Sequence, residues 1–246
     1  MPNLKHIKKQ WISSFKSSAD YSVPYFWGTL GIAYRKDLVS TPITSWKQIF
    51  NPAPELQNKI LMADSVDDVI GAALKSLGFS SNSINKNEYN LAEKLLLQQK
   101  PYVKDYAYMT LSEDSSIVKG DVYASMAYSG DALAVMEFEP NIKYIVPVEG
   151  GGLWVDYFTI MEKSKNKELA FKFVNFINKP EIAAQISEYV HYASPNASAE
   201  KLLSNNFLSD TTIYPSTETL SKSEFNKPIP PRIVRYKNNI FSNLRN

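Results

Sequence analysis

Apolar positions along the chain alternate between two periods, one of about 3.6 residues and one of two. Between 64 and 78, Val69, Ile70, Ala73, Leu74 and Leu77 recur at helical spacing. Asp64 is placed to cap the start of this helix, Asp67 and Asp68 fall in its first turn, and Gly78 can close its end. Similar patterns predict helices over 88–98, over 167–177 with Asn178 as the stop, from Pro180 to about Val190, and over 231–244. Runs rich in β-branched and aromatic residues, bounded by turn formers, predict strands at 31–35, 59–62, 122–128, 143–146 and 154–161. Helix and strand signals interleave along the whole length, which reads as an α/β fold.

The strand beginning at Trp154 is the most informative stretch. Side chains alternate faces in a strand, so Trp154, Asp156, Phe158 and Ile160 point the same way. Three glycines, 150–152, precede it and free the backbone to turn tightly, as in a flexible loop. An indole and a carboxylate thus emerge side by side at a strand end. Spacing alone leaves two readings open: a ligand-facing pair, or the rim-exposed start of a strand.

Composition narrows the functions. The 246 residues carry 27 basic and 25 acidic side chains, a net charge of +2, too balanced for a nucleic-acid surface. The small basic groups Lys5, Lys8, Lys9 and Arg232, Arg235, Lys237 read as solvated faces. With no cysteine, disulfides and thiolate chemistry are excluded, and two distant histidines, His6 and His191, do not make a zinc site. The triple glycine lacks the lysine and hydroxyl of a phosphate loop, and no Gly-x-Ser-x-Gly elbow occurs. Adjacent acids such as Asp67 with Asp68, or Glu137 with Glu139, read as structural. Nothing here makes an enzyme, and no cofactor is expected. Residues 1–15 are polar and lysine-rich with no secretory core, and no run reaches the ~20 apolar residues of a membrane helix. The remaining asset is 15 Tyr and 4 Trp mixed with acids at element ends, which suits a cationic ligand with an apolar stem.

Several motifs occur in a telling order. Val23-Pro24-Tyr25-Phe26-Trp27-Gly28-Thr29 is followed by Gly31-Ile32, then Thr44-Ser45-Trp46, then Leu61-Met62-Ala63-Asp64 and the helix to Leu77-Gly78. Glu149-Gly150-Gly151, Trp154-x-Asp156, Asn166-Lys167-Glu168, Pro180-Glu181, Tyr192-Ala193-Ser194-Pro195-Asn196 and Tyr214-Pro215 complete the series. From about Tyr21 onward the chain resembles the spermidine/putrescine-binding proteins of ABC transporters.

That resemblance implies a two-lobe fold of the periplasmic-binding-protein kind (type II), with a polyamine captured between the lobes and passed to a membrane permease. It also implies a monomer in the periplasm or at the cell surface. Family members carry roughly a hundred further residues ahead of the Val23-Pro24-Tyr25 segment. The expectation is therefore an incomplete first lobe with exposed sheet edge and core surface. Segments 1–36, 37–148 and 149–246 are assigned to the first-lobe remnant with the hinge entry, to the second lobe, and to the return hinge strand with the rest of the first lobe and the C-terminal helices. By position the resemblance makes Trp154, Asp156, Tyr192, Asp68 and Tyr128 ligand contacts. Two departures join them: Ser65 stands where a second helix-start acid is common, and Asp131 where a small polar residue is usual. The alternatives are another small solute on the same fold, or a shortened chain that binds nothing.

Overall fold

The computed structural model describes residues 1–15 and 18–245. Its main elements are β1 (Ser22–Arg35), β2 (Ile60–Met62), α1 (Val66–Ser76), α2 (Lys86–Gln99), β3 (Val103–Tyr106), β4 (Ala124–Tyr128), α3 (Ser129–Met136), β5 (Ile142–Ile145), β6 (Gly152–Thr159), α4 (Lys167–Ile177), α5 (Pro180–Val190), β7 (Glu224–Phe225) and α6 (Pro231–Arg245). Two compact units result: a first of Met1–Gly28 with Trp154–Tyr214, and a second of Thr29–Leu153 with Pro215–Asn246. Strands β1 and β6 each carry the chain from one unit into the other.

In the second unit β1 pairs antiparallel with β4, Leu30 opposite Tyr128, and with β5, Ile32 opposite Ile145. Strand β2 lies parallel to β4 and β3, and β7 runs parallel to the first residues of β6. The period-two pattern sorts side chains into two cores. Leu30, Ile32, Tyr34, Ala124 and Met126 join Trp46, Ile70, Leu74, Leu96, Ile240 and Leu244 on one face. Ala33 and Ala127 point to the other, with Ile117, Val122, Val135 and Tyr144. Because both faces are covered, β1 is buried almost continuously, where a half-exposed strand would alternate.

Helix α1 starts at Ser65, not at Asp64 as its sequence suggested: the Ser65 hydroxyl accepts from the Asp68 N–H, while Asp64 is exposed and pairs with Arg245 at 2.6 Å. Gly78, at φ 84°, does close the helix. The expected solvated face at the C-terminus is also corrected. Lys237 is only 4% exposed and pairs with Asp67, because α6 packs its face of Ile233, Ile240 and Leu244 into the core and carries Lys237 with it. Arg232 and Arg235 remain exposed. Likewise Lys75 is buried and meets Glu224 at 2.8 Å. These contacts tie 215–246 to the second unit.

The glycine stretch before β6 is packed, not loose. A Cβ on Gly150, which has φ 88°, would lie 2.1 Å from the Lys222 carbonyl oxygen, and one on Gly151 would lie 2.1 Å from that of Leu30. The Trp46 indole N–H donates to the Gly150 carbonyl at 2.9 Å, and the Glu149 carboxylate accepts from Ser45 and the Trp46 N–H.

The first unit combines the Ser22–Gly28 part of β1 and the Trp154–Thr159 part of β6 with α4, α5 and several short helical turns. Helix α4 spans the predicted 167–177, and the Asn178 amide folds back onto the Val174 carbonyl at 2.8 Å. Helix α5 begins with Pro180 as its first residue, as read from the sequence, and ends on His191 in the left-handed region. Trp11 stacks on Trp27 at 4.5 Å, and the Trp27 indole N–H donates to the Ser194 carbonyl at 3.2 Å. Asn196 caps the turn Ala197–Glu200, and Lys8 pairs with Glu200 at 2.6 Å. His6 Nδ1 meets Ser198 Oγ at 2.9 Å, which fastens the turn Pro2–His6 to the same place.

Candidate functional site

The seven residues singled out from the sequence divide between the units: Trp154, Asp156 and Tyr192 in the first, Ser65, Asp68, Tyr128 and Asp131 in the second. Each set is a small constellation in its own right.

In the first unit, strand alternation puts Trp154, Asp156 and Phe158 on one face of β6. Trp154 meets Tyr192 edge to face, ring centres 5.1 Å apart. Tyr192 lies 5.8 Å from Phe26, Phe26 3.9 Å from Tyr25, and Tyr25 4.5 Å from Phe158. Five aromatic rings therefore run from one strand neighbour of Asp156 round to the other. Tyr192 is held from behind, its carbonyl accepting from the Ser187 hydroxyl. Asp156 is exposed, yet the surrounding protein desolvates it enough to raise its pKa above the ordinary carboxylate value. Burial also raises Tyr25. Tyr25 and Phe26 were not among the candidates. Their signal was the Val23–Thr29 motif, which sequence reasoning used to place the chain and not to build a site.

In the second unit, the Tyr128 hydroxyl at the end of β4 donates to the Asp68 carboxylate at 2.7 Å. Ser65 reaches the same turn as its cap, at 3.4 Å from the Asp68 N–H. Burial, then the neighbouring Asp68 charge and its hydrogen bond, raise the Tyr128 pKa, so this phenol stays a donor throughout the ordinary pH range. Asp131, in the first turn of α3, is half-buried and raised by desolvation. Its charge acts in turn on Tyr128 and on Tyr144, whose hydroxyl is fixed by Thr29 at 2.9 Å. A small cleft beside this group is lined by Asp67, Asp68, Lys75, Ser81 and Asn226, among others. Of the acids on that wall, Asp67 is engaged by Lys237, and Lys75 is itself engaged by Glu224. Asp68, by contrast, forms no salt bridge among the described residues and is met by the Tyr128 hydroxyl.

Both constellations share one chemistry: carboxylates next to aromatic groups, suited to an organic cation. No cluster of three His, Asp or Glu side chains that could hold a metal occurs among the described residues.

Comparison with known proteins identifies the family. Residues 1–214 match the family described as bacterial extracellular solute-binding protein. The chain belongs to that family. The spermidine/putrescine-binding periplasmic protein of Salmonella typhimurium is 33% identical over 216 residues, 87% of this chain and 61% of that protein. The chain thus spans about three-fifths of the length of that curated relative. Among solved structures, the spermidine/putrescine ABC transporter substrate-binding protein PotD of Streptococcus pneumoniae superposes with a TM-score of 0.89 at 30% identity, over 99% of this chain and 74% of that one. A putative spermidine/putrescine ABC transporter protein of Listeria monocytogenes gives 0.86 at 35% identity, over 99% and 75%. The α/β fold is accordingly that of the periplasmic binding proteins. As in other solute-binding chains, catalysis is not the business of this family, and no helix among the described residues is long and apolar enough to cross a membrane.

Proposed function

We propose that this solute-binding chain captures a linear polyamine, of the spermidine or putrescine type, for delivery to the membrane permease of an ABC transporter. The observation that carries the reading is Asp156, a partly desolvated carboxylate flanked on its strand by Trp154 and Phe158, two rings that Tyr192, Phe26 and Tyr25 join in a run of aromatic contacts. Aromatic faces attract an ammonium group by about 0.5–2 kcal/mol each and cover the methylenes between amines. The carboxylate adds a charge-assisted hydrogen bond, worth about 1.5–3 kcal/mol net.

Asp68 supplies a second anionic point, with one oxygen already oriented by Tyr128 and lone pairs left for an amine. Asp131 supplies a third, and Ser65 acts through the turn it caps, keeping Asp68 in place. The names of the relatives support the substrate class, since the Salmonella typhimurium and pneumococcal proteins are both named for spermidine and putrescine. A periplasmic or cell-surface location, a monomeric state and the permease as partner belong to the same reading.

Calorimetric titration with spermidine and with putrescine tests it. Asp156→Asn is expected to weaken binding about ten- to hundredfold, the equivalent of about 1.5–3 kcal/mol. Only the ionised carboxylate attracts the cation, and desolvation raises the pKa of Asp156 and of Asp131. Affinity should therefore fall on acidification at a higher pH than an ordinary aspartate would give. An affinity untouched by Asp156→Asn removes this residue from the site, and the absence of any heat or thermal shift with either amine removes the polyamine reading.

A further inference from the structure

Thr29, the residue at which β1 enters the second unit, is held by side chains from two other elements. The β1–β4 ladder begins at Leu30, so Thr29 stands one residue beyond it and its backbone groups need other partners. Its carbonyl accepts from the Tyr144 hydroxyl of β5 at 3.0 Å, and its own hydroxyl lies 2.9 Å from the same phenol oxygen. Tyr144 has a single hydroxyl proton, given to the carbonyl, so the Thr29 hydroxyl is the donor in the second bond. The Thr29 N–H donates to the hydroxyl of Ser129, the first residue of α3, at 3.4 Å. All three residues are buried, where water cannot replace a lost partner. Burial, with the Asp131 charge adding to it, keeps the Tyr144 phenol protonated and able to donate. Gly31 makes the room: a Cβ there would lie 2.8 Å from the Tyr144 hydroxyl and 2.2 Å from the Ile145 carbonyl oxygen.

This junction bears on the candidate ligand residues through α3. Tyr128 precedes that helix with its phenol on Asp68, and α3 begins without a side-chain cap. Its first turn is placed instead by the Ser129 link to Thr29 and by Ala132 and Val135, which share a core with Tyr144. Asp131 rides on that turn. Among the described residues no hydrogen bond or ion pair holds its carboxylate, so the backbone of the turn fixes where the charge stands. The charges of Asp68 and Asp131 both reach the Tyr128 phenol, which makes the three one electrostatic group. We propose that Tyr144 is a positioning residue for this group: through Thr29 and Ser129 it fixes the turn that sets the Asp131 carboxylate beside Tyr128, and so tunes the hold on an amine. The inference rests on the polyamine reading, because it concerns how one of that ligand's carboxylates is kept in place. Buried in the core, Tyr144 acts only through these neighbours.

The test is calorimetric titration of the full chain with spermidine and with putrescine, using Tyr144→Phe alone and combined with Asp131→Asn or with Asp156→Asn. Tyr144→Phe keeps the ring and removes one oxygen, and it should weaken binding about three- to tenfold. In the Asp131→Asn chain the same change should cost less than about twofold, because the group it positions is already gone. In the Asp156→Asn chain, altered in the first unit, the full factor should remain. A merely structural role would lower affinity by one factor in both backgrounds. Thr29→Val, which deletes only the hydroxyl that donates to Tyr144, should act in the same direction, and Thr29→Ser, which keeps that hydroxyl, should lose less. This second pair carries the test if Tyr144→Phe does not fold. Affinity unchanged by Tyr144→Phe or Thr29→Val, equal losses in the two backgrounds, or an Asp131→Asn chain that binds like the parent overturns the proposal and leaves the polyamine reading standing. A parent chain that binds neither amine overturns both.

Discussion

The two units are built from the same kinds of element but hold together differently. In the second, each face of the sheet is sealed, and two buried lysines, Lys75 and Lys237, are matched by Glu224 and Asp67. In the first, cohesion comes from stacked aromatic rings and side chain–backbone hydrogen bonds, and one helix keeps half of its apolar surface in water. The contrast separates two tasks. Buried apolar area stabilises the second unit and its two lysine–carboxylate pairs fix which segments meet, whereas several apolar side chains of α4 stay at the surface of the first.

Substitution can break or sharpen that contrast, and the largest effect belongs to the sealed core. Trp46 is fully buried, meets Phe50 in a tilted ring contact and donates to the Gly150 carbonyl, so Trp46→Ala should cost about 3–5 kcal/mol in urea unfolding. Leu169→Ala in the first unit should cost no more than about 0.5 kcal/mol. Equal losses would erase the distinction.

Next comes the ion pair at the end of the chain. Glu224→Gln leaves the buried Lys75 without its partner and should destabilise by about 3 kcal/mol at neutral pH. Burial by itself would raise the Glu224 pKa, but hydrogen bonds from Lys75, Ser80 and Asn82 outweigh it and bring it to about 2. A depressed carboxylate contributes fully above its ordinary value of 4.5 and loses that contribution as pH falls toward 2. The variant should therefore show a flatter loss of stability across that window.

Asp156→Asn should do the opposite on a smaller scale. A carboxylate raised by desolvation is costly to the folded state when ionised, so its replacement should leave the melting temperature unchanged or slightly higher at neutral pH. The difference should shrink as pH falls through the raised value and be gone below the ordinary aspartate value of 3.8. The smallest effect is expected at Arg245, paired with Asp64 on the surface: Arg245→Ala should change stability by less than about 1 kcal/mol in scanning calorimetry.

Much of the framework was legible in the sequence. Helices at 167–177 and from Pro180 to Val190 stand where local caps and spacing put them, and the five predicted strands all exist, four of them within two residues, while the one predicted at 31–35 begins nine residues earlier, at Ser22. Strand β3 and helix α3 were not foreseen. Val103–Tyr106 reads as Val-Lys-Asp-Tyr, which carries little strand signal of its own and is recruited by pairing with β2. The Ser-Gly-Asp start of α3 resembles a loop until β4 delivers it to the sheet end. For the site, spacing placed Trp154 and Asp156 together, but the rings of Tyr25 and Phe26 that meet Phe158 and Tyr192 come from a strand more than a hundred residues earlier.

Within reach of a few neighbours along the chain, the sequence determined the outcome alone: helical stripes, caps such as Asn178, alternating strand faces, and the ordered motifs that mark a solute-binding chain. Tertiary structure decided the partnerships. It chose Ser65 over Asp64 as the cap, drew Lys237 out of water to Asp67, docked 215–246 on the second unit, and set the Tyr128 hydroxyl on Asp68. Local signals depend on backbone geometry that adjacent residues share, whereas these choices depend on desolvation and register between segments far apart, which no stretch of sequence carries by itself.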